Sequence, residues 1–290
     1  MKHVRLGIIG LGVMGQVHAR NILEKKIPRL RLSAVADQDP ARLARFGEIP
    51  GFASDGELIS SGQVDAVLIA TPHYSHTTTG IAALKAGLHV LVEKPISVQR
   101  SDCERLLEAH KDPRLVFAAM FNQRSDPLYL KLRDLVRGGA LGQIHRIQWT
   151  VTNWFRPHAY YGMSSWRATW AGEGGGVLLN QCPHNLDLFS WIFGQPRRVR
   201  GFCGFGRYHD IEVEDDVTAY FEMEGGATAT FIASTGEAPG TNRLEVVAEG
   251  GRVVAENGTL RFTKNRIPTA EFSRTTKEPF SAPPTRDSSL

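Results

Sequence analysis

Hydrophobic and polar positions in the first 120 residues form short apolar runs separated by longer amphipathic stretches. The runs predict six strands, at Val4 to Ile9, Leu30 to Ala36, near Phe52, Ala66 to Ala70, His89 to Val92 and Leu115 to Ala119. The spacing between them predicts helices that include Met14 to Lys25 and Ser101 to His110. Strands that alternate with helices in this way are typical of βαβ units, so we expect a mostly parallel, doubly wound α/β sheet.

The pattern changes near residue 122. Helices are predicted at Pro127 to Arg137 and Pro183 to Phe193. Alternating strands are predicted at Ile144 to Asn153, Val199 to Phe205, Val217 to Glu222, Ala227 to Ala233, Leu244 to Glu249 and Leu260 to Thr263. This order indicates an α+β domain with an open, mainly antiparallel sheet. We therefore expect domains at residues 1–121 and 122–264, followed by a polar, proline-bearing tail at 265–290 that is poorly ordered.

Composition excludes several classes of protein. With 42% hydrophobic and 22% charged residues and no long apolar run, the chain is expected to be globular, with no membrane partner. The net charge of +4 is small and scattered, which argues against nucleic-acid binding. Three widely spaced cysteines indicate neither a disulfide framework nor a thiolate metal site. No metal is expected, and the start of the chain, which lacks a signal-peptide pattern, favours the cytoplasm.

A glycine loop directly after the first strand predicts a dinucleotide site. Gly10, Gly12 and Gly15 fit G-x-G-x-x-G between a strand and a helix, where the loop approaches a pyrophosphate and the helix amino terminus faces it. Asp37 ends the second strand, where a carboxylate accepts hydrogen bonds from ribose hydroxyls. A 2′-phosphate would meet like charge there, so NAD is expected, with NADP less favoured.

Two further strand ends lie at the same predicted edge of the sheet. Thr71 and Pro72 follow the fourth strand and are placed to wall the nicotinamide side, and Lys94 follows the fifth. Ligands of open α/β sheets bind beyond these ends, so Lys94 is expected to face the cofactor crevice. The alternative is a hydrated surface lysine. His73 and His76 fit turn or helix-cap positions more readily than a chemical role.

A second group of polar residues surrounds the start of the predicted helix at 183. The run Gly174 to Gly176 lets the backbone approach a neighbour closely, and Asn180 precedes Pro183 and His184. A helix amino terminus favours the neutral imidazole that a general base requires. The alternative is a histidine satisfied in the core or capping its own helix. Asp187 is expected to orient or cap rather than react.

Together these motifs resemble the Gfo/Idh/MocA family of glucose-fructose oxidoreductases and inositol dehydrogenases, over roughly residues 4 to 264. The motifs are Gly10 to Gly15 with His18, Thr71-Pro72, Glu93-Lys94-Pro95, Met120-Phe121-Asn122 with Arg124, and Gly-Gly-Gly-x-x-x-Asn-x-x-x-His. The resemblance implies a Rossmann domain, an open sheet that often serves as the oligomer interface, and reversible oxidation of a sugar or cyclitol hydroxyl. It also implies a homodimer or homotetramer.

The resemblance also assigns roles. Lys94 resembles the family's catalytic lysine and His184 its acid/base histidine, whereas Asn180 stands where the family frequently has aspartate, and an amide cannot relay a proton. We expect Asn180 to hold substrate together with Arg167, Trp166 and Tyr160, although aromatic residues here are often core residues. The expected cofactor-binding residues are Gly10, Gly12, Met14, Gly15, Asp37, Thr71, Pro72, His76, Glu93, Lys94 and Asn122.

Three readings of function follow. We favour a dehydrogenase or reductase that moves a hydride between nicotinamide and a hydroxyl or keto carbon of a sugar, sugar derivative or cyclitol. A glycosidase that retains its NAD and works by transient oxidation and elimination shares the fold and the lysine. A non-catalytic sugar or dinucleotide sensor is the third, against which Lys94 and His184 count. Family members usually continue with a further helical segment, so the chain is also expected to be truncated.

Overall fold

The structure is a computed structural model that describes residues 3–289, without the side chains of Ser288 and Ser289. It contains two compact units. The first runs up to Met120 and includes the short segment Ala171–Gly174, and the second comprises Phe121–Trp170 and the residues from Gly175 onward. The expected domain boundary between residues 121 and 122 lies one residue from the first of these divisions. The hydrophobic pattern does not predict that Ala171–Gly174 belongs to the first unit.

The first unit is built on a six-stranded parallel sheet in the order β3-β2-β1-β4-β5-β6. Its strands are β1 Val4–Ile9, β2 Leu30–Ala36, β3 Gly51–Phe52, β4 Ala66–Ile69, β5 His89–Val92 and β6 Phe117–Ala119. Its helices are α1 Val13–Leu23, α2 Pro40–Leu43, α3 Asp55–Ser60, α4 Ser75–Lys85 and α5 Arg100–Ala109, with a 3₁₀ turn at Ala44–Phe46. The predicted parallel sheet and all six of its strands are confirmed.

The strand order reverses direction between β1 and β4, at the centre of this sheet. Ile8 and Ile69 are completely buried there, because helices cover both faces of a parallel sheet. Just beyond Ile9, the amide of Ala70 donates to the Ile9 carbonyl at 2.8 Å, which brings the ends of the two strands together. Such a reversal point is where open α/β sheets bind their ligands.

The second unit is built on an eight-stranded sheet in the order β14-β13-β12-β11-β7-β10-β9-β8. Its strands are β7 Ile144–Val151, β8 Pro196–Phe205, β9 Glu214–Met223, β10 Thr228–Ser234, β11 Asn242–Ala248, β12 Gly251–Glu256, β13 Thr259–Asn265 and β14 Thr285–Ser289. Its helices are α6 Pro127–Arg137, α7 His158–Tyr161, α8 Pro183–Phe193 and α9 Thr269–Thr275, with 3₁₀ turns at Asn122–Ser125 and Glu224–Gly226.

The pairing in this second sheet is antiparallel except between β7 and β10, which run parallel. The expected open, mainly antiparallel sheet is therefore confirmed. One face packs on a core that contains Trp149, Leu188, Phe189 and Phe231. Strand β12 was not predicted, although its buried and half-buried positions alternate as a half-exposed strand requires.

The segment after residue 264 differs from the expectation of a poorly ordered tail. It contains α9 and β14, and β14 pairs antiparallel with β13 from Arg261 opposite Ser289 to Asn265 opposite Thr285. This pairing uses backbone groups and a hydrogen bond from Thr263 to Asp287 at 2.7 Å. Composition alone cannot predict such pairing, because a polar edge strand needs no apolar side chains to complete a ladder.

No helix in the described part of the chain has the length and apolar character needed to cross a membrane.

Candidate active site

The glycine turn between β1 and α1 is shaped by close backbone contacts on two sides and by open space on the third. A Cβ on Gly10, which has φ of +92°, would lie 2.7 Å from the backbone of Ala70, and a Cβ on Gly15 would lie 1.9 Å from the Gly10 carbonyl oxygen. At Gly12, no heavy atom in the described chain lies within 4 Å of the corresponding point, its chain neighbours apart. The first and third glycines therefore pack, whereas the second leaves room at the start of α1.

Asp37 follows β2 and holds this turn from the other side. Its two carboxylate oxygens accept the backbone N–H groups of Leu11 at 2.7 Å and Asp39 at 2.9 Å. Arg42 lies 3.4 Å from the same carboxylate. The carboxylate is thus fixed against the glycine turn, as a ribose acceptor requires, and Arg42 offsets part of its charge.

Thr71 supplies a buried polar atom that the protein itself does not satisfy. Its hydroxyl oxygen finds no hydrogen-bond partner among residues 3–289. Buried hydroxyls are normally bonded, so an unpaired one at the end of β4 suits a ligand that brings its own polar group. With the space at Gly12 and the uncapped amino terminus of α1, these residues fit a dinucleotide.

Glu93 and Lys94 directly follow the last residue of β5. Glu93 is buried, and its carboxylate lies 2.6 Å from His18 Nε2 on α1 and accepts the backbone N–H of Lys94 at 3.1 Å. Burial by itself raises the pKa of Glu93, but the hydrogen bond from His18 and neighbouring positive charge outweigh it and hold that pKa below its usual value. The ionised carboxylate therefore fixes the backbone from which the half-buried Lys94 extends.

His76 lies on α4 and connects two strand ends. Its ring is buried, with Nδ1 2.8 Å from the Pro95 carbonyl and Nε2 2.9 Å from the Thr71 carbonyl. Burial lowers the pKa of His76. A neutral ring donates to only one of these two carbonyls, and its position between them suits His76 to positioning the Thr71 and Pro95 segments. Cofactor binding by His76 stays a prediction. His73 is also buried, 3.0 Å from the carbonyl of Glu173.

In the second unit, the glycine turn before α8 is closed by a buried glutamate. A Cβ on Gly176 would lie 1.9 Å from the Glu214 carbonyl oxygen. The Glu214 carboxylate accepts the N–H groups of Gly176 at 2.9 Å and Leu178 at 3.1 Å. The backbone N–H of Asn180 then donates to the Gly176 carbonyl at 2.9 Å, so Glu214 sets the path of the chain that leads to Asn180. The sequence analysis missed Glu214. The available signal was three acidic residues in a row, 214–216, at the start of a strand whose following residues are largely apolar.

The residues expected to bind substrate meet at one phenol. The Tyr160 hydroxyl accepts hydrogen bonds from Arg167 at 2.8 Å and from the side-chain amides of Asn180 and Gln181, each at 3.3 Å. The Arg167 guanidinium also lies over the rings of Tyr160 and Trp166, at 4.6 and 4.9 Å from their centroids. The structure therefore brings Tyr160, Arg167, Trp166 and Asn180 together, and their expected role in binding substrate stays a prediction.

His184 occupies the first turn of α8, directly after Pro183. Its ring meets the Phe121 ring edge-on, with centroids 5.9 Å apart. One turn further, Asp187 receives a bidentate ion pair from Arg124, at 2.6 and 2.7 Å, and its expected role in orienting or capping stays a prediction. The hydrogen bond to this carboxylate raises the pKa of Arg124. Arg124 and Phe121 come from the segment that includes Asn122, which belongs to the second unit.

The predicted residues thus fall into two groups, each described within its own unit. The first unit carries Gly10, Gly12, Met14, Gly15, Asp37, Thr71, Pro72, His76, Glu93 and Lys94. The second carries Asn122, Tyr160, Trp166, Arg167, Asn180 and His184. The described residues contain no group of three histidine, cysteine or acidic side chains placed to hold a metal ion.

Comparison with known proteins identifies the family. Residues 4–121 match the oxidoreductase family with an NAD-binding Rossmann fold, and residues 129–254 match the Gfo/Idh/MocA C-terminal domain. The chain therefore belongs to the Gfo/Idh/MocA family of oxidoreductases, and its cofactor is NAD.

Individual relatives are consistent with this membership. The chain is 29% identical over 266 residues to myo-inositol 2-dehydrogenase of Thermotoga maritima, covering 88% of this chain and 75% of that protein. It is 32% identical over 209 residues to inositol 2-dehydrogenase of Acidothermus cellulolyticus, covering 70% and 58%. The WlbA dehydrogenase from Bordetella pertussis, in complex with NADH and UDP-GlcNAcA, superposes with a TM-score of 0.81 at 25% identity, covering 87% and 78%.

Proposed function

We propose that this protein oxidises or reduces a sugar, sugar derivative or cyclitol at one carbon, by hydride transfer between a CH–OH group and NAD. The observation that carries the proposal is the combination of an open glycine turn at Gly12, after β1, with Lys94 after β5 at the same edge of the parallel sheet. The inositol dehydrogenases among its relatives support the substrate class.

Bound NAD supplies the acceptor or donor of the hydride. Asp37, Thr71 and the glycine turn bind it, and Glu93 orients the backbone at Lys94. Lys94 stabilises the negative charge that grows on the substrate oxygen. His184 takes the hydroxyl proton on its imidazole during oxidation and returns it during reduction. Asn180 and Tyr160 hold further substrate hydroxyls.

Asn180 changes how the proton is handled. An amide donates and accepts hydrogen bonds but carries no transferable proton at neutral pH. Its hydrogen bond to the Tyr160 hydroxyl places it in a binding cluster. Proton transfer in this protein is therefore assigned to His184 and not to Asn180.

A screen of sugars and cyclitols for NADH formation tests the function. The proposal expects at least one substrate to give NADH in proportion to the substrate consumed. Release of an aglycone from glycosides without net change in nicotinamide absorbance would instead establish the glycosidase. Binding of NAD with neither turnover of any compound nor release of aglycone would establish a sensor.

We also propose that the chain forms a homodimer or homotetramer through the outer face of the second sheet. Phe202 on β8 and Tyr220 on β9 lie on the same face and are 73% and 40% exposed. Exposed aromatic residues on a flat sheet are typical of an association surface. Light scattering should give a multiple of the 32.0 kDa chain mass, reduced by Phe202→Glu. A monomer at micromolar concentration would contradict this assembly. We propose a cytoplasmic location, which is supported by the absence of a disulfide bond at Cys103, Cys182 and Cys203 within the described residues.

A further inference from the structure

Arg156 lies in the segment between β7 and α7, and both of its backbone groups are held. Its N–H donates to the Thr235 carbonyl at 2.9 Å, and its carbonyl lies 2.7 Å from His209 Nε2. The other ring nitrogen of His209 lies 2.9 Å from the carboxylate of Asp215. His209 and Asp215 are both buried. The backbone of Arg156 is therefore fixed from the interior of the second unit.

Asp215 is itself anchored by the chain around it. Its carboxylate accepts the backbone N–H groups of Arg207, Tyr208 and His209 at 2.8, 2.8 and 3.1 Å. A carboxylate with this many donors is well satisfied in the interior. Asp215 and His209 thus support the backbone of Arg156 from the interior of the second unit.

The Arg156 guanidinium lies against two aromatic rings. It is 4.8 Å from the centroid of Tyr160 and 5.3 Å from that of Trp154. Nη1 donates to the Phe155 carbonyl at 3.2 Å, whereas Nε is shielded from water and has no hydrogen-bond partner in the described chain. Within residues 3–289, no carboxylate lies within ion-pair distance of this group. The site therefore holds a partly desolvated cation that the described chain does not neutralise.

This cation lies beside the expected substrate residues. The ring that Arg156 stacks on is that of Tyr160, whose hydroxyl receives Arg167 and Asn180. A substrate that contacts the Tyr160 cluster would have its neighbouring substituent close to Arg156. A partly desolvated guanidinium interacts most favourably with an anion, and its planar fork matches a carboxylate.

We propose that Arg156 binds the carboxylate of an acidic sugar substrate, such as a uronate, and so determines specificity. This inference rests on the proposed function and names the substrate class of the same site. A carboxylate is favoured over a phosphate because a single guanidinium balances its one negative charge.

Binding to the NAD-loaded protein tests the inference through the matched pair D-glucuronate and D-glucose, which differ at one carbon. By calorimetry, the wild type should bind glucuronate at least about tenfold more tightly than glucose, with a preference that weakens as salt increases. Arg156→Gln should remove the preference and Arg156→Lys should retain part of it. Arg274→Gln, which removes the same charge from the exposed side of α9, should retain all of it.

Several outcomes overturn the inference. These are equal binding of the two sugars by the wild type, failure to bind either, a preference that survives in Arg156→Gln, or tighter binding of glucose 6-phosphate than of glucuronate. If Arg156→Gln does not fold, the wild-type preference and Arg156→Lys decide. NADH formation in the same samples separates the two proposals. NADH from neutral sugars without an acid preference overturns the role of Arg156 alone, whereas an acid preference without NADH from any sugar overturns the proposed function alone.

Discussion

Each unit places a glycine turn and a buried glutamate before a functional residue, but the two turns differ in what surrounds them. In the first unit, the space beside Gly12 is open, and Glu93 holds the amide of Lys94. In the second, Gly176 lies against the backbone of Glu214, whose carboxylate holds the same turn. The first turn is therefore built to receive a ligand, and the second is built to place its own chain. A glycine in a motif indicates that another group approaches the backbone closely, but only the folded structure shows whether that group is a ligand or another part of the chain.

The largest effect on folding stability is expected at Gly176. Gly176→Ala places a Cβ 1.9 Å from a backbone oxygen, which cannot move away as a flexible side chain can. We expect a loss of about 3 kcal/mol in the free energy of unfolding, the upper end of common overpacking effects. Urea denaturation measures it. A change under about 0.5 kcal/mol would mean that the second turn is as open as the first.

Glu93→Gln should cost about 1 to 3 kcal/mol at neutral pH, because the ionised carboxylate is buried and bonded to His18 and to the backbone N–H of Lys94. The pKa of Glu93 is lowered in the folded protein, so its stabilisation is fully present above the ordinary carboxyl pKa and is lost as pH falls through the lowered value. The difference in unfolding free energy between wild type and variant should therefore shrink in acid. A difference independent of pH would show that Glu93 acts by packing and not by charge.

Gly12→Ala is the matched partner of Gly176→Ala and should leave stability within about 0.5 kcal/mol of wild type. Its new methyl group would occupy the open space beside the turn, so NAD affinity should fall about tenfold, which corresponds to about 1.4 kcal/mol. Calorimetric titration with NAD measures this change. Unchanged affinity would contradict the placement of the pyrophosphate at this turn.

The smallest effect is expected at Asp37. Asp37→Ala removes a carboxylate that disfavours the 2′-phosphate of NADP, so the preference for NAD over NADP should narrow, by about tenfold at most. The ratio of the two dissociation constants is the measurement, and Arg42→Gln serves as a control for the neighbouring charge. A ratio that does not change on Asp37→Ala would rule out the ribose assignment.

The sequence predicts the first unit well because its signals are local. Apolar runs mark the strands, and the glycine spacing places the turn at the sheet centre. Buried carboxylates are harder to predict. Glu214 gains its partners from a turn 36 to 38 residues earlier in the chain, and Asp215 gains its partners from a polar loop 6 to 8 residues earlier that has no apolar pattern. Strand β14 is also missed, because backbone pairing leaves no pattern in polar residues.

The candidate site shows the same division. Tyr160, Arg167 and Asn180 are predicted as separate substrate residues, and the structure adds that they share one hydroxyl group. His76 is predicted as a cofactor-binding residue from its position in the sequence, and the structure adds that both ring nitrogens lie within hydrogen-bond distance of backbone carbonyl groups. Arg156 belongs to none of the motifs found in the sequence. Its environment comes from aromatic rings and buried groups that only tertiary structure assembles.

The central claim is that Lys94 serves hydride transfer in a site where NAD binds independently of it. The most direct test measures NAD affinity and turnover together in the wild type and in Lys94→Ala, with a substrate found by the NADH screen. The account predicts that turnover falls by about 10² to 10⁴-fold while the NAD dissociation constant stays within a few-fold of wild type. Equal loss of both, or unchanged turnover, would contradict it and make Lys94 a binding, folding or surface residue.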